Sequence, residues 1–202
     1  MKRFSNFFVA LGVTLFLLTV GIKSEADAQC PPGSSSQTFI FTVGGCDWIA
    51  DICYQCPFTA HPNWFTVGKY KKVNSTCIGS VPADDVKDSI IAQMIDGRVW
   101  LYGLCASSYP PCGLDPKTIQ IRDYDCWLIY NDNGDYEYRI CVYGSFCVQD
   151  VEVCWDQTYG PQHTPSGVWY HYGDSYCEDD IMPGFPPNGY ASDCWFNSIC
   201  DQ

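Results

Sequence analysis

Fourteen cysteines in a chain of 202 residues constrain this sequence more than any other feature. They are Cys30, Cys46, Cys53, Cys56, Cys77, Cys105, Cys112, Cys126, Cys141, Cys147, Cys154, Cys177, Cys194 and Cys200. Thiols in such number are typical of exported proteins, in which they oxidise to disulfides. The even count predicts seven intramolecular disulfides and no free thiol, but it does not give their pairing. A zinc site is disfavoured, because only residues 53–56 have C-x-x-C spacing and histidine is scarce.

The first residues have the pattern of a secretory signal peptide, residues 1–28. Lys2 and Arg3 precede an apolar run over residues 7–22, and residues 26–28 form an A-x-A cleavage motif. The run is shorter than the roughly 20 residues that a membrane-spanning helix needs. Cleavage would leave every cysteine, with eight basic and twenty-one acidic residues and a net charge of −13. We therefore expect Sec-type export to an extracellular or cell-surface location, with no membrane association after cleavage.

The charge distribution excludes one class of partner and suggests another. The formal net charge of −12 argues against nucleic acid, whose phosphates are bound by lysine and arginine. Residues 140–202 contain nine acidic residues and no Lys or Arg, whereas the earlier part holds Lys69, Lys71, Lys72, Lys87 and Arg98. A chain polarised in this way is suited to head-to-tail self-association.

The cysteine spacing suggests an internal duplication. Three cysteines recur at offsets of 101, 101 and 100 residues: Cys46 as Cys147, Cys53 as Cys154, and Cys77 as Cys177. We therefore predict two tandem antiparallel β lobes, residues 29–115 and 116–202, in which matched cysteines have matched partners. Each lobe holds seven cysteines, so at least one disulfide must cross between them. Chance alignment among so many cysteines is the alternative.

Short runs of aromatic and β-branched residues predict a mostly β fold of the β-rich α+β class. The predicted strands are residues 38–43, 48–54, 64–73, 99–102, 118–130, 135–143, 148–155 and 168–172. One helix is predicted near residues 82–96, inserted in the first lobe, because Pro82 fits a first turn and Gly97 can end it. Its apolar residues share one face, so the helix should pack against a sheet. They are Val86, Ile90, Ile91 and Met94.

Asn133-Gly134 lies between two predicted strands and is a strong signal for a two-residue hairpin turn. In a type I′ turn, Cys126 would lie opposite Cys141 and within disulfide range. Two alternatives stay open. A bulge at Gly134 would shift the register by one residue, and Cys56 is a rival partner for Cys141 across the lobes.

Recognised catalytic motifs are absent from the sequence. It contains neither G-x-S-x-G nor H-E-x-x-H, and His61, His163 and His171 lie in no known motif. We therefore expect no catalytic residue, no cofactor and no enzymatic activity. One acidic cluster is a candidate cation site, with solvated surface charge as its alternative. Its members are Asp174, Glu178, Asp179 and Asp180.

Three functional hypotheses remain for a chain of this kind. The first is a secreted, disulfide-stabilised structural or adhesive protein that self-associates head to tail into a filament or matrix. The second is a carbohydrate-binding module in which some of the seven Trp and fourteen Tyr residues form platforms for a glycan. The third is a secreted glycoside hydrolase, because the spatial pairing of two carboxylates is invisible in a sequence.

Overall fold

A computed structural model describes residues 30–56, 62–73, 81–97, 101–174, 177 and 179–201. The described strands and α-helix are, in chain order, β1 (Ser35–Val43), β2 (Cys46–Gln55), β3 (Asn63–Lys72), α1 (Ala83–Ile95), β4 (Lys117–Asp132), β5 (Asp135–Asp156), β6 (Gly160–Tyr172) and β7 (Trp195–Phe196). Short 3-10 helices span Tyr102–Ser108 and Ile199–Asp201. The mostly β prediction is confirmed, and the predicted signal peptide lies outside the described residues. In the described part of the chain, no helix is long and apolar enough to cross a membrane.

The strands form one curled sheet with the order β1-β2-β3-β4-β5-β6, and β7 pairs with β4. Neighbouring strands are antiparallel except β3 and β4, which run parallel where residues 63–66 face residues 119–122. Farther along, β3 pairs instead with residues 137–139 of β5. Bulges lie between β4 and β5 near Cys126, and bulges increase local twist. β5 thereby takes the place of β4 beside β3.

The two predicted lobes share this single sheet. β3 belongs to the first predicted lobe and β4 and β5 to the second, yet their backbones are hydrogen-bonded directly. Tandem repeated lobes that meet near residue 115 are therefore not confirmed.

The helix α1 covers one face of the sheet, as its apolar residues predict. The four are fully buried: Val86, Ile90, Ile91 and Met94. α1 begins after Pro82 and contacts β1, β3 and β4. Gly97, which follows the helix, has a φ of 64°, a left-handed conformation that glycine adopts without strain.

Cross-strand partners in a sheet project to the same side, so the register defines two faces. The helix face lies under α1 and carries Ile52, Val67, Ile121, Asp123 and Trp127. The open face is the opposite side and carries Ile40, Lys71, Arg122, Glu137 and Tyr170.

The predicted hairpin turn is confirmed. Asn133 and Gly134 have φ values of 55° and 93°, both positive as a type I′ turn requires, and Asp132 pairs with Asp135 across it. The two-residue turn excludes the alternative of a bulge at Gly134.

The Cys126–Cys141 disulfide, one of the two alternatives for Cys141, does not form, because Cys126 bonds Cys177 and Cys141 bonds Cys194. The hairpin register holds as far as the pair Trp127 and Ile140, and there a bulge begins. The bulge places Val142 opposite Cys126, so Cys141 is the extra residue and has no cross-strand partner cysteine.

Disulfides join the described cysteines in six pairs: Cys30–Cys53, Cys56–Cys105, Cys112–Cys154, Cys126–Cys177, Cys141–Cys194 and Cys147–Cys200. Cys46 is also disulfide-bonded, and Cys77 lies outside the described residues. No described cysteine is free. The bond between Cys112 and Cys154 crosses between the predicted lobes, which confirms the argument from the odd cysteine count.

Two further pairing predictions are wrong. Cys56 bonds Cys105 and not Cys141. Matched cysteines do not have matched partners, because Cys53 bonds Cys30, early in the first predicted lobe, whereas its counterpart Cys154 bonds Cys112 in the other lobe. The physical reason is that the corresponding regions fold differently. α1 in the first half corresponds to a mostly irregular segment in the second, where residues 183, 186 and 187 are prolines.

Two strand predictions also need correction. Tyr102 begins a 3-10 helix rather than ending a strand, and residues 99–100 lie outside the described part. Its hydroxyl donates to the carbonyls of Met94 and Ile95, which turns this segment back against the end of α1. The predicted strands 135–143 and 148–155 are one strand, β5, because the chain bulges at Cys141 instead of breaking.

Candidate functional site: sheet edges and an aromatic pocket

β1 forms one free edge of the sheet. Among the described residues it pairs only with β2, through nine consecutive residues without a bulge. Its sequence, SSQTFIFTV, contains no charge and no proline. Proteins commonly protect an edge strand with lysine, proline or a bulge, and β1 has none of these. Ile40 on this strand is 62% exposed, and β1 presents an uncharged edge that another strand can extend.

β6 forms the opposite edge and pairs with β5 alone in the described part of the chain. Its first half is protected by two prolines, Pro161 and Pro165, and residues 166–168 after it are displaced by a register shift, because Val151 pairs with Pro165 and Gln149 with Trp169. Residues 166–172 contain no proline, Asp, Glu, Lys or Arg. Val168, Tyr170 and Tyr172 alternate along this stretch and are each about half exposed. Residues 169–172 are therefore the part of β6 that is open to pairing.

The charges near the two edges have opposite sign. β1, β2 and β3 together carry three lysines and two aspartates, a net charge of +1. Residues 140–172, which form most of β5 and all of β6, carry three acidic residues and no Lys or Arg, a net charge of −3. Ile40 and Tyr170 both project from the open face. Both edges therefore expose an uncharged strand segment, and the regions of the sheet beside them carry opposite net charges.

An aromatic pocket of about 390 Å³ lies on the helix face beside the β4–β5 hairpin. Its walls are aromatic side chains, with Lys72 and Asp135 among its polar members. Two of these rings, Tyr136 and Phe185, have centroids 4.4 Å apart. The aromatic members are Trp48, Tyr136, Tyr138 and Phe185. The indole Nε1 of Trp48 is buried and makes no hydrogen bond with any described residue.

The predicted cation cluster is not assembled in the described residues. Asp179 is fixed through its backbone, whose N–H donates to the carbonyl of Cys194 and whose carbonyl accepts from Phe196. Glu178 lies outside the described residues. In the described part of the chain, no three His, Cys, Asp or Glu side chains form a metal-binding group. A cation at Asp174, Glu178, Asp179 and Asp180 therefore stays a prediction.

The described histidines lie in different surroundings, and His61 is outside the described residues. The ring of His163 packs 5.1 Å from that of Tyr102. Nε2 of His171 lies 2.8 Å from Oδ2 of the buried Asp125, and the Ser145 hydroxyl donates to the same oxygen. A hydrolytic serine needs direct contact with its histidine base. Here Ser145 and His171 each hydrogen-bond the carboxylate of Asp125, and this shared contact links β6 to β4 and β5.

Sequence reasoning missed Lys87, a lysine of α1 that is fully buried. Its Nζ lies 2.7 Å from Oδ2 of Asp123 and donates to the carbonyl of Asn197 at 2.5 Å. The signal was its position, one residue after Val86 and three before Ile90, at the border of the apolar face. A lysine at such a border commonly extends to solvent, so the pattern alone does not predict burial.

Comparisons with protein-family models, curated proteins and solved structures found no match for this chain. The disulfides are consistent with a secreted, disulfide-stabilised protein in an oxidising environment.

Proposed function

We propose that this protein is an extracellular structural or adhesive subunit that self-associates head to tail, with β1 of one copy pairing against β6 of the next. The observation that carries the proposal is that, in the described part of the chain, the sheet ends in two strand segments without Asp, Glu, Lys, Arg or proline, namely β1 and residues 169–172. A contact between two different surfaces repeats without closing, so it builds a filament or matrix. This role needs no catalysis and no cofactor.

Strand addition supplies the affinity of such a contact. Backbone N–H and C=O groups that face solvent on β1 would bond those on residues 169–172, which continues the sheet from copy to copy. Ile40 would pack beside the half-exposed Tyr170 and Tyr172, burying apolar surface that each monomer exposes.

Charge favours the head-to-tail arrangement over a symmetric one. Pairing β6 with β6 would bring the acidic strand regions of two copies together, whereas β1 against β6 sets a net charge of +1 beside one of −3. Added salt should therefore weaken the assembly modestly, because these charges are exposed.

Two edge variants test the proposal. Ile40→Glu adds an acid that faces the acidic β6 of the next copy, and Tyr170→Lys adds a base that faces the basic side of the sheet. By sedimentation and electron microscopy, the wild type should form concentration-dependent chains, and each variant alone should remain monomeric. An equimolar mixture of the two variants should assemble again, since the unchanged β1 of one variant meets the unchanged β6 of the other.

Ile181→Glu is the matched control, because Ile181 is 79% exposed and lies in none of the described strands. It should assemble like the wild type. A wild-type protein that stays monomeric at all concentrations would refute self-association. If Tyr170→Lys alone forms dimers, two β1 strands pair symmetrically, and the head-to-tail contact is wrong.

The aromatic pocket supports carbohydrate binding as a second candidate function. A sugar ring offers apolar faces to aromatic side chains and hydroxyl groups to polar ones. Lys72 supplies an ammonium group, and Asp135 supplies a carboxylate. The pocket volume of about 390 Å³ lies within the range of small-molecule sites.

Titration with cellohexaose, followed by tryptophan fluorescence, tests this candidate. Saturable binding to the wild type should be weakened by Phe185→Ala, which removes one wall of the pocket. Tyr190→Ala removes an aromatic ring that is 67% exposed and outside the pocket, so its binding should match the wild type. Equal loss in both variants, or no fluorescence change at all, would exclude cellohexaose as a ligand of this pocket.

A further inference from the structure

Lys87 of α1 and Asp123 of β4 form an enclosed pair between the helix and the sheet. Both side chains are 0% exposed, and Nζ lies 2.7 Å from Oδ2. The Trp127 ring closes one side, with its centroid 5.7 Å from Nζ. The C-terminal segment closes another, because the carbonyl of Asn197 accepts from Nζ and the N–H of Ile199 donates to Oδ2 at 3.0 Å.

The pair has two features that an ordinary ion pair does not need. The second oxygen of Asp123, Oδ1, is buried and makes no hydrogen bond with any described residue. A second carboxylate stands nearby, because Oδ1 of Asp88 lies 3.9 Å from Nζ and its side chain is 17% exposed. An amine, a carboxyl group and a proton carrier that reaches the surface therefore meet at one point.

We propose that Lys87 and Asp123 become joined by an intramolecular isopeptide bond, which links α1 to β4 covalently in addition to the disulfides. The bond forms between Nζ and Cγ of Asp123. Oδ2 becomes the amide oxygen and stays bonded to the N–H of Ile199. Oδ1 is the oxygen that leaves, consistent with its lack of a described hydrogen bond.

The reaction is a condensation with no oxidant or reductant. One proton passes from the ammonium of Lys87 along its hydrogen bond to Oδ2 of Asp123, which gives a neutral amine and a neutral acid. The nitrogen lone pair then attacks Cγ. A second proton passes from nitrogen through Asp88 to Oδ1. Oδ1 then takes the proton held by Oδ2 as the Cγ–Oδ1 bond breaks, and one water leaves. The third proton remains on the amide nitrogen, and the two opposite charges are lost.

Burial favours each part of this reaction. Desolvation raises the pKa of Asp123 to about 6, although the charge and hydrogen bond of Lys87 act to lower it. A fraction of molecules near neutral pH therefore carries the reactive neutral acid. Two buried ions are replaced by an amide, which removes the cost of keeping both charges out of water. An enclosed site also limits the return of water that would hydrolyse the bond.

The mass of the intact, fully reduced and alkylated protein tests the proposal. We expect the wild type to be lighter than its sequence by one water. Tryptic digestion should leave the bond after Lys87 uncut and give one branched peptide in which fragment ions locate the link to Asp123. Lys87→Arg should restore the full mass. Lys69→Arg is the matched control, because Lys69 contacts Asp51 at 3.4 Å in a partly exposed pair and should leave the water loss intact.

Full mass in the wild type would overturn the proposal, as would a water loss that fragment ions locate elsewhere. Neither outcome depends on a variant that folds poorly. Asp88→Asn gives a further measurement, since it removes the proton carrier and should leave a larger uncrosslinked fraction shortly after refolding. These readouts are independent of self-association, so failure of one proposal does not affect the other.

Discussion

Two clusters of charged residues on opposite faces of the sheet show how surroundings set the behaviour of similar groups. On the helix face, Asp123 has one enclosed cation, Lys87, and desolvation raises its pKa to about 6. On the open face, Glu137 contacts Arg139 at 2.7 Å and two lysines at 3.4 and 3.8 Å. Burial alone would raise the pKa of Glu137, but Arg139 and the lysines hold it below its usual value of 4.5.

The difference shows that a short contact distance does not decide the strength of an ion pair. The nearest nitrogen–oxygen distance is 2.7 Å in both clusters. The open-face cluster has three cations and partly hydrated lysines, so the carboxylate keeps its charge at little cost. The enclosed pair lacks that hydration, and removing either partner leaves the other without a counterion.

The largest predicted effect comes from removing the enclosed cation. Lys87→Met removes the proposed bond to Asp123 and leaves that buried carboxylate without a counterion, so we expect the free energy of unfolding to fall by at least about 3–5 kcal/mol. Lys69→Met is the open-face counterpart and should cost about 0–1 kcal/mol, because solvent screens that pair. Urea unfolding with intact disulfides measures both.

A double variant sharpens this result. Lys87→Met with Asp123→Leu should regain part of the lost stability, because no buried carboxylate remains without a partner. Equal losses in Lys87→Met and Lys69→Met would contradict the difference between the two faces.

A smaller effect is expected for Arg139→Lys on the open face. Nε and the second guanidinium nitrogen of Arg139 both donate to one oxygen of Glu137, and the guanidinium lies 4.3 Å from the Tyr130 ring. Lysine cannot reproduce the paired donors or the planar stacking. We expect a loss of about 1 kcal/mol in urea unfolding. The same change in a Glu137→Gln background should cost less, and an unchanged cost would exclude coupling between the two residues.

The smallest effect is a dependence on pH. Glu137 has a lower pKa in the folded state than in the unfolded state, so its contribution to stability is present above about 4.5 and is lost as pH falls through the folded value. The wild type should therefore lose its stability advantage over Glu137→Gln in acid. Urea midpoints of the two proteins that run parallel across this range would contradict the expectation.

Local features of the fold were predictable from the sequence. Asn133-Gly134 determines its turn through two residues with positive φ, and α1 is encoded by apolar spacing between Pro82 and Gly97. Each of these signals lies within a short stretch of sequence. The turn and the helix can therefore be predicted without knowing which distant residues they contact.

Nonlocal features were not predictable. A bulge displaces Cys141 from Cys126, and nothing in the adjacent sequence marks where the extra residue falls. The parallel pairing of β3 with β4 depends on the path of the chain between them. The open edges had a sequence signal, the absence of charge in β1 and in residues 166–172, but only the strand order shows that both lie at edges.

The enclosed site of Lys87 also imposes an order on maturation. The carbonyl of Asn197 that holds Nζ lies 110 residues farther along the chain. Cys147–Cys200 and Cys141–Cys194 attach this late segment to β5. Because the ribosome makes the chain from its amino end, α1 and β4 are synthesised long before the C-terminal segment that covers the Lys87 site. The two disulfides that attach this segment therefore complete the exclusion of water, and the proposed bond between Lys87 and Asp123 is the last covalent link to form.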